Sequence, residues 1–199
     1  MIGIIDYGLG NIGAFYEIYK ENGIELKIID NYKNLNKNYR KLILPGVGSF
    51  DKAISLLKSK SFFDEIINFS QNKNNKILGI CIGMQILAST SDEGKLSGFS
   101  FINNNFNKIR SNVLPHIGWN NVSIKKKHYL FKNIDNDSFF YFLHSFCLSE
   151  IDKEYILGET RYEQNFVSVF EKENFLGVQF HPEKSHVQGE KLLLNFYDN

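Results

Sequence analysis

The stretch that decides the fold of this 199-residue chain is Lys76-Ile-Leu-Gly-Ile-Cys-Ile-Gly-Met-Gln-Ile-Leu-Ala88. Its first five residues form an apolar run rich in branched side chains, which is typical of a buried parallel strand. Residues 84–88 have the composition of a helix, so the chain is predicted to turn from strand to helix at Cys81. A glycine lies two residues to either side of this cysteine, which is the spacing of a nucleophile elbow.

The two flanking glycines, Gly79 and Gly83, suit a sharp strand-to-helix turn because such a turn needs unusual backbone angles and leaves little room for a Cβ atom. The turn would place the sulfur of Cys81 at the start of a helix, where free backbone amides stabilise negative charge. A structural cysteine buried between two packing glycines is an equally good interpretation of this stretch alone.

The composition excludes several classes of function. A net charge of +1 gives no electrostatic basis for binding nucleic acid or a membrane surface. The two cysteines, Cys81 and Cys147, are too few for a disulfide scaffold, which favours a reducing compartment. No signal peptide is apparent, and no apolar run approaches the roughly 20 residues of a membrane span. We therefore expect a cytoplasmic protein with one domain, residues 1–199.

Strand-like and helix-like segments alternate in the first half of the chain, and strands dominate the second half. Strands are predicted at 1–6, 24–30, 40–44, 76–80, 139–145, 154–161, 166–171 and 175–180. Helices are predicted at 12–22, 51–58, 62–70, 84–88 and 187–197, whereas 114–120 is predicted to be a loop. This order predicts an α/β fold, an open and mostly parallel mixed sheet flanked by helices with an antiparallel, strand-rich C-terminal half.

Candidate functional residues fall at the predicted ends of strands. The loop Gly46-Val47-Gly48, Cys81, His144 and His181 each follow a strand closely. Ligands in such sheets bind at the carboxyl ends of the strands. This convergence favours a catalytic role for Cys81 over a structural one.

A thiolate nucleophile needs a general base and a third group that orients the base. His181-Pro182-Glu183 supplies both, and the proline is expected to keep the segment extended so that His181 and Glu183 project to the same side. Backbone amides of Ile82 and of the loop Gly46-Val47-Gly48 would bind the oxyanion. The arrangement predicts attack on a carbonyl carbon and a thioester intermediate.

Two other interpretations of the motifs are weaker. Gly8-Leu-Gly-Asn-Ile-Gly13 has the spacing of a dinucleotide-binding turn, with Asp30 as the acidic partner, but a lone match of this kind is weakly specific. His181, Glu183 and His186 could be metal ligands, but they lack the helical spacing of zincins. We expect no metal and no cofactor.

Read together, Pro-Gly-Val-Gly, Gly-Ile-Cys-Ile-Gly-Met-Gln and Gln-Phe-His-Pro-Glu make the chain resemble a class I, triad-type glutamine amidotransferase. The resemblance extends over essentially the whole chain. It includes Ile5-Asp-Tyr-Gly-Leu-Gly-Asn11, Leu114-Pro-His-Ile-Gly-Trp-Asn120, Tyr141-Phe-Leu-His-Ser-Phe146 and His181-Pro-Glu-Lys-Ser185. It implies hydrolysis of L-glutamine, with Cys81 as nucleophile, His181 as base and Glu183 as the orienting group.

The same resemblance implies a substrate pocket and a partner surface. The residues implied for glutamine are Gly46, Val47, Gly48, Ile82, Gln85, His144, Ser145 and Phe146. Those implied for the partner, a (β/α)8-barrel cyclase subunit that receives the ammonia in a heterodimer, are Asn11, Pro115, His116, Gly118, Trp119, Asn120 and Lys184. The resemblance also implies that the Val47 peptide is a switch. Its amide would rotate inward only when the partner holds its ligand.

Two alternatives stay open at this stage. A paralogous subunit could supply ammonia to a cyclase-like partner in the synthesis of surface sugars, since the glutaminase half-reaction is the same. A non-catalytic regulatory or binding subunit could keep the fold, but the intact set of Cys81, His181 and Glu183 argues against it.

Overall fold

Eight strands from both halves of the chain form the main sheet of the computed structural model, which describes residues 1–199. In sheet order they are β2 (Leu26–Ile29), β1 (Ile2–Ile5), β3 (Lys41–Leu44), β4 (Lys76–Ile80), β13 (Phe175–Val178), β12 (Gln164–Lys172), β11 (Ile156–Tyr162) and β8 (Ser123–Ile124). The first five run parallel, and each of the last three is antiparallel to its neighbour. The predicted mixed α/β fold is confirmed.

The parallel strands are apolar on both faces because helices cover both sides of the sheet. Strands β1 and β13 are buried at every residue. Helices α1 (Ile12–Glu21) and α5 (His186–Asp198) pack on one side, and α2 (Phe50–Ser59) and α3 (Phe62–Ser70) pack on the other. Each side therefore has its own hydrophobic core, and the sheet separates the two.

Two smaller sheets complete the molecule. One contains β5 (Ala88–Ser91), β6 (Ile102–Lys108) and β10 (Phe146–Cys147). The other is a ribbon of β7 (His116–Asn121) and β9 (Phe139–His144), paired antiparallel over six residues. The prediction of a loop at 114–120 was therefore wrong, because the continuous ladder with β9 holds most of this segment as a strand.

The helix after Cys81 is shorter than predicted. It comprises only α4 (Ile82–Gln85), and β5 begins at Ala88. The carbonyl groups of Ile86 and Leu87 accept hydrogen bonds from the amides of Phe99 and Phe101. These tertiary bonds draw the chain out of the helix, so the helix-forming composition of residues 84–88 does not decide its structure.

None of the helices combines the length and the apolar character needed to cross a membrane.

Candidate active site

Cys81 lies at a strained turn between β4 and α4. Its backbone angles are φ 52° and ψ −110°, which a side-chain-bearing residue rarely adopts. A Cβ atom on Gly83 would lie 1.7 Å from the carbonyl oxygen of Leu44, and one on Gly79 would lie 2.5 Å from that of Gly83. Only glycine fits at either position, so the two glycines are explained by close backbone approach around the cysteine.

Hydrogen bonds hold Cys81 on both sides of the turn. Its amide donates to the carbonyl oxygen of Val178 at 2.8 Å, and its carbonyl accepts from the amide of Gln85 at 3.1 Å. The thiol lies 3.7 Å from its acceptor, the carbonyl oxygen of Leu143, and the Gln179 amide donates to the sulfur at 3.8 Å. Cys81 is thus fixed between the central sheet and the ribbon.

The thiol is almost closed off from solvent. Cys81 is 3% exposed, and the side chains of His181 and Glu183 beside it are each 3% exposed. Such burial strengthens the electrostatic interactions between these groups.

His181 and Glu183 form a buried pair beside the cysteine. The distance between His181 Nδ1 and Glu183 Oε1 is 2.8 Å, and each side chain is 3% exposed. His181 itself is extended, but Pro182–Lys184 forms a turn of 3-10 helix with the proline at its start. The expectation that the whole segment is extended was therefore wrong, because proline fits the first turn of a helix. The side chains of His181 and Glu183 are still in contact.

The second ring nitrogen of His181 is free for proton transfer. Nε2 is buried and makes no hydrogen bond. Burial lowers the pKa of His181, but the charge and hydrogen-bonding capacity of nearby Cys81, together with the Glu183 carboxylate, outweigh this and raise it to about 10. The Cys81 thiol is thus close enough to act on the imidazole electrostatically.

The ribbon is hydrogen-bonded to the segment that carries His181. The amide of His181 donates to the carbonyl oxygen of Tyr141 at 2.8 Å. The amide of Tyr141 donates to Ser185 Oγ at 3.0 Å, and that hydroxyl donates to the carbonyl oxygen of His181. The position of the imidazole therefore depends on the ribbon as well as on the main sheet.

The loop Gly46-Val47-Gly48 passes beside the first residue of α4. A Cβ atom on Gly46 would lie 2.9 Å from Ile82 Cγ2 and 2.7 Å from the hydroxyl of Tyr7. That hydroxyl donates to the carbonyl oxygen of Pro45 at 2.7 Å. Burial, and then the nearby Cys81, raise the pKa of Tyr7. Tyr7 is thus a permanent hydrogen-bond donor that holds the start of the loop near the thiol.

A carboxylate fixes the far end of the same loop. Glu93 Oε2 accepts a hydrogen bond from the amide of Phe50 at 2.8 Å, whereas Ser49 makes no capping bond with its side chain. The side chain of Glu93 therefore caps helix α2 immediately after the loop. Between its two anchors, Val47 is 41% exposed and Gly48 has φ +119°.

Two buried amide side chains line the other side of the thiol. Gln85 Nε2 donates to Gln179 Oε1 and to the carbonyl oxygen of Phe146, each at 3.3 Å. Gln85 Oε1 is buried and has no partner. A buried acceptor without a donor is costly in a native protein. This oxygen is therefore a natural contact for a ligand.

The residues predicted for the partner surface divide between outside and inside. Asn11, Pro115, Trp119 and Lys184 are exposed, and Gly118 is half-buried. Asn11 also caps helix α1 by accepting from the amide of Ala14. His116 is 3% exposed and faces inward in the single chain, and its place on the partner surface stays a prediction. In an antiparallel ribbon alternate residues face opposite sides, and His116 and Asn120 share the inner face.

Trp119 has aromatic neighbours from two other elements of the fold. It stacks on His186 with 5.0 Å between ring centres and meets Tyr141 edge-on at 6.1 Å. Lys184 Nζ lies 5.7 Å from the centre of the Tyr141 ring. We call Trp119, Tyr141, Lys184 and His186 the aromatic patch. Because His186 belongs to this patch, it does not converge with His181 and Glu183 on one point, as a metal site would require.

The glycine-rich turn that resembles a dinucleotide site has a packing role. A Cβ atom on Gly10 would lie 3.0 Å from Pro45 Cβ and 3.3 Å from the amide nitrogen of Gly46. The turn therefore packs against Pro45 and Gly46, immediately before Val47.

Sequence reasoning missed four residues that hold the site together: Tyr7, Glu93, Gln179 and Ser185. Gln179 carried a signal, because it is a lone amide at the end of the apolar strand that leads to His181. The other three lie in turns where a polar residue is ordinary, so only their tertiary contacts reveal them.

Comparison with known proteins identifies the family of the chain. The model of the family described as "Glutamine amidotransferase class-I" matches residues 3–199. The chain belongs to this family of enzymes. It is 44% identical over 199 residues to imidazole glycerol phosphate synthase subunit HisH 2 of Methanococcus maripaludis, with 98% of each chain covered. It is 42% identical over 202 residues to subunit HisH of Leptospira borgpetersenii, again with 98% of each covered.

Two solved structures share the fold at low sequence identity. A crystal structure described as that of a glutamine amidotransferase has a TM-score of 0.78 at 16% identity and covers 99% of this chain and 97% of its own. PurLQS from Thermotoga maritima has a TM-score of 0.76 at 18% identity, with the same coverage. The mixed sheet and its flanking helices are therefore the architecture of this amidotransferase family.

Proposed function

We propose that the chain is a glutaminase subunit that hydrolyses L-glutamine to L-glutamate and ammonia, acting as one domain over residues 1–199. The observation that carries this proposal is the buried pair of His181 and Glu183, with the free Nε2 of the imidazole beside the Cys81 thiol. Nucleophile, base and orienting group are the components of a triad.

The reaction proceeds in two halves. The thiol proton of Cys81 passes to His181, whose raised pKa favours the imidazolium form, and Cys81 Sγ then attacks the side-chain carboxamide carbon of glutamine. The imidazolium then protonates the leaving nitrogen, the C–N bond breaks, and ammonia departs from a thioester. Water attacks the thioester with His181 as base, the C–S bond breaks, and the thiol regains its proton as glutamate leaves.

The amide of Ile82 and those of the loop Gly46-Val47-Gly48 would bind the oxyanion in both halves. Ile82 is the first residue of α4, so its amide has no acceptor within that helix. Val47 is exposed and lies between the anchors made by Tyr7 and Glu93. This supports a switch in which the Val47 peptide turns inward when a partner holds its ligand.

The relatives named HisH support the pathway and the partner. We infer that the ammonia passes to the cyclase subunit of imidazole glycerol phosphate synthase, a (β/α)8 barrel, in a heterodimer. That subunit would form imidazole glycerol phosphate and 5-aminoimidazole-4-carboxamide ribotide (AICAR) in histidine biosynthesis. The exposed aromatic patch around Trp119, next to the segment that carries His181, is the surface we assign to this partner.

One alternative partner has a specific observation in its favour. Two of the relatives, from Methanococcus maripaludis and Pseudomonas aeruginosa, are designated HisH 2. A numbered subunit is compatible with a paralogue that feeds a cyclase-like partner in the synthesis of surface sugars. The chemistry at Cys81 would be the same.

The test measures glutamate release by the purified chain alone and with the histidine-pathway cyclase and its nucleotide ligand. Strong stimulation by this cyclase is the expected result. Stimulation only by the sugar-pathway cyclase would identify the alternative partner as the acceptor of the ammonia.

The variant Cys81→Ala separates an enzyme from a non-catalytic subunit. It should abolish hydrolysis and leave binding of the cyclase intact. Glutamate release at the parent rate by this variant would overturn the triad.

A further inference from the structure

Two buried imidazoles outside the triad face each other across the ribbon. His116 and His144 are directly opposite in the β7–β9 ladder and are 3% and 5% exposed. The distance between His116 Nδ1 and His144 Nε2 is 3.0 Å. The proposed triad chemistry uses neither ring.

The hydrogen-bond partners determine where both rings carry their protons. His144 Nδ1 lies 2.8 Å from the carbonyl oxygen of Phe146, which can only accept, so this nitrogen bears the hydrogen. His144 Nε2 is therefore an acceptor and receives the hydrogen on His116 Nδ1. Burial lowers the pKa of His116 to about 4 and that of His144 to about 3, so both rings are neutral near pH 7.

The two imidazoles belong to a series of hydrogen bonds, and the outer end of this series is fixed as well. Asn120 Nδ2 lies 3.2 Å from His116 Nε2 and 3.0 Å from the carbonyl oxygen of Arg161, and it donates to both. Asn120 Oδ1 accepts from the amide of Asn121, which sets the orientation of the amide group. All donors thus point from Asn120, beside Trp119, towards Phe146.

The inner end of this hydrogen-bond series is the carbonyl group of Phe146, which lies beside the side-chain amides of Gln85 and Gln179. The carbonyl oxygen of Phe146 accepts from His144 Nδ1 and from Gln85 Nε2, so both of its lone pairs are used. Gln85 Nε2 gives its other hydrogen to Gln179. The amide of Gln85 is therefore held with its nitrogen engaged and its buried oxygen free.

We propose that His144, locked by His116, is a positioning residue for the amino-acid substrate: it fixes the Phe146 carbonyl group so that Gln85 presents its free Oε1 to the α-ammonium group of glutamine. This inference rests on the proposed glutaminase function. It assigns to the histidine pair selectivity for an α-amino acid, and it assigns no part of the proton transfer to either ring.

The experiment labels Cys81 in the purified full chain with three alkylating probes. 6-Diazo-5-oxo-L-norleucine carries the α-ammonium group, 6-diazo-5-oxohexanoate lacks it, and iodoacetamide resembles neither substrate end. With each probe a C–S bond forms as dinitrogen or iodide leaves. Labelling rates against probe concentration give the half-saturating concentration and the limiting rate separately.

The variant His144→Phe keeps a ring and removes the donor. We expect its half-saturating concentration for the amino-acid probe to rise about tenfold, since a hydrogen bond to a charged group is lost. Labelling by the other two probes should be unchanged. His144→Asn places an amide nitrogen where Nδ1 was, so it should recover most of the selectivity. His128→Phe removes a histidine outside the site and should match the parent chain.

Three outcomes would each overturn the proposal. They are labelling of His144→Phe at the parent rate, equal slowing with all three probes, and failure of His144→Asn to recover the selectivity lost in His144→Phe. If His144→Phe does not fold by circular dichroism, His116→Leu takes its place, because it removes the donor to His144, and the same selective loss is expected. A parent chain alkylated by iodoacetamide but never by the amino-acid probe would refute the glutaminase function itself.

Discussion

At the scale of the residue, the Glu183 carboxylate is the group on which the proposed base depends most directly. It is almost fully buried, and Oε1 accepts from His181 while Oε2 has no partner. A buried carboxylate in this position holds one tautomer of the ring and stabilises the imidazolium ion that forms during the reaction.

Glu183→Gln keeps the size of the side chain and removes its charge. We expect kcat for glutamine hydrolysis to fall roughly 10²- to 10⁴-fold, because the imidazolium loses its counter-charge and the ring its orientation. The pKa of His181, about 10 in the parent, should also fall. Glutamate release by the complex, measured over the neutral and alkaline range, checks both effects.

The chain offers a matched control for this variant. His128 and Glu171 form a second histidine–carboxylate pair, at 2.8 Å, away from the thiol. Glu171→Gln should leave kcat at the parent value. An equal loss of activity in the two variants would mean that the Glu183 effect is not catalytic.

The neutral histidine pair makes stability depend on pH. His116 and His144 have pKa values of about 4 and about 3, below the ordinary value of 6.5. Between about pH 6.5 and pH 4 the unfolded chain therefore takes up protons that the folded chain does not. The free energy of unfolding should fall as the pH is lowered through this window.

His144→Asn removes one of these two titrations. We expect the dependence of the free energy of unfolding on pH in that window to decrease by about one bound proton, or about 1.4 kcal/mol per pH unit. Urea unfolding at several pH values measures it. Lys52→Gln, on the exposed face of α2, should retain the parent slope. A His144→Asn slope equal to the parent's would contradict a neutral, buried imidazole at this position.

At the scale of the element, the loop Gly46-Val47-Gly48 is held at its two ends and free in the middle. Tyr7 holds the start through the carbonyl oxygen of Pro45, and Glu93 holds the end through the amide of Phe50. A loop anchored in this way can rotate one peptide without moving its neighbours, which is what the proposed Val47 switch requires.

Tyr7→Phe tests the first anchor. We expect about a tenfold loss in kcat and a loss of about 1 kcal/mol in the free energy of unfolding, because one buried hydrogen bond disappears. Tyr19→Phe is the matched control, since the hydroxyl of Tyr19 donates to the carbonyl oxygen of Leu193 at 2.8 Å in an equally buried site. It should lose similar stability and no activity. Equal kcat values in the two variants would show that the Tyr7 hydroxyl has no effect on catalysis.

At the scale of the whole molecule, the ribbon connects the outer surface to the catalytic interior. Its outer face contributes Trp119, its backbone at Tyr141 binds the His181 segment, and its inner face contributes the histidine pair. A partner bound to the aromatic patch would therefore contact the same ribbon that positions His181.

Trp119→Ala should weaken binding of the cyclase by roughly 2 kcal/mol, about 30-fold in Kd, because a large aromatic side chain at the centre of an interface carries much of the binding energy. Iodoacetamide labelling of Cys81 in the isolated chain should be unchanged. Val113→Ala alters another exposed apolar side chain outside the patch and should bind like the parent. Titration calorimetry gives the Kd values, and parent-like affinity for Trp119→Ala would place the interface elsewhere.

The sequence alone determined the central architecture and pointed to the members of the proposed triad. Apolar runs such as Lys76–Ile80 form strands because they are buried on both faces, where local composition and tertiary environment agree. The spacing of Gly79, Cys81 and Gly83 was informative because backbone crowding at the turn admits only glycine. His181 and Glu183 were recognisable because they are close together in the chain.

Tertiary structure alone decided the features that depend on distant partners. The segment 84–88 leaves its helix because amides from residues 99–102 bind its carbonyl groups, and 114–120 is largely a strand because β9 lies beside it. The inward direction of His116 and the supporting roles of Tyr7 and Gln179 likewise depend on contacts between residues far apart in sequence. Local patterns describe what a segment can form, and only packing selects its neighbours.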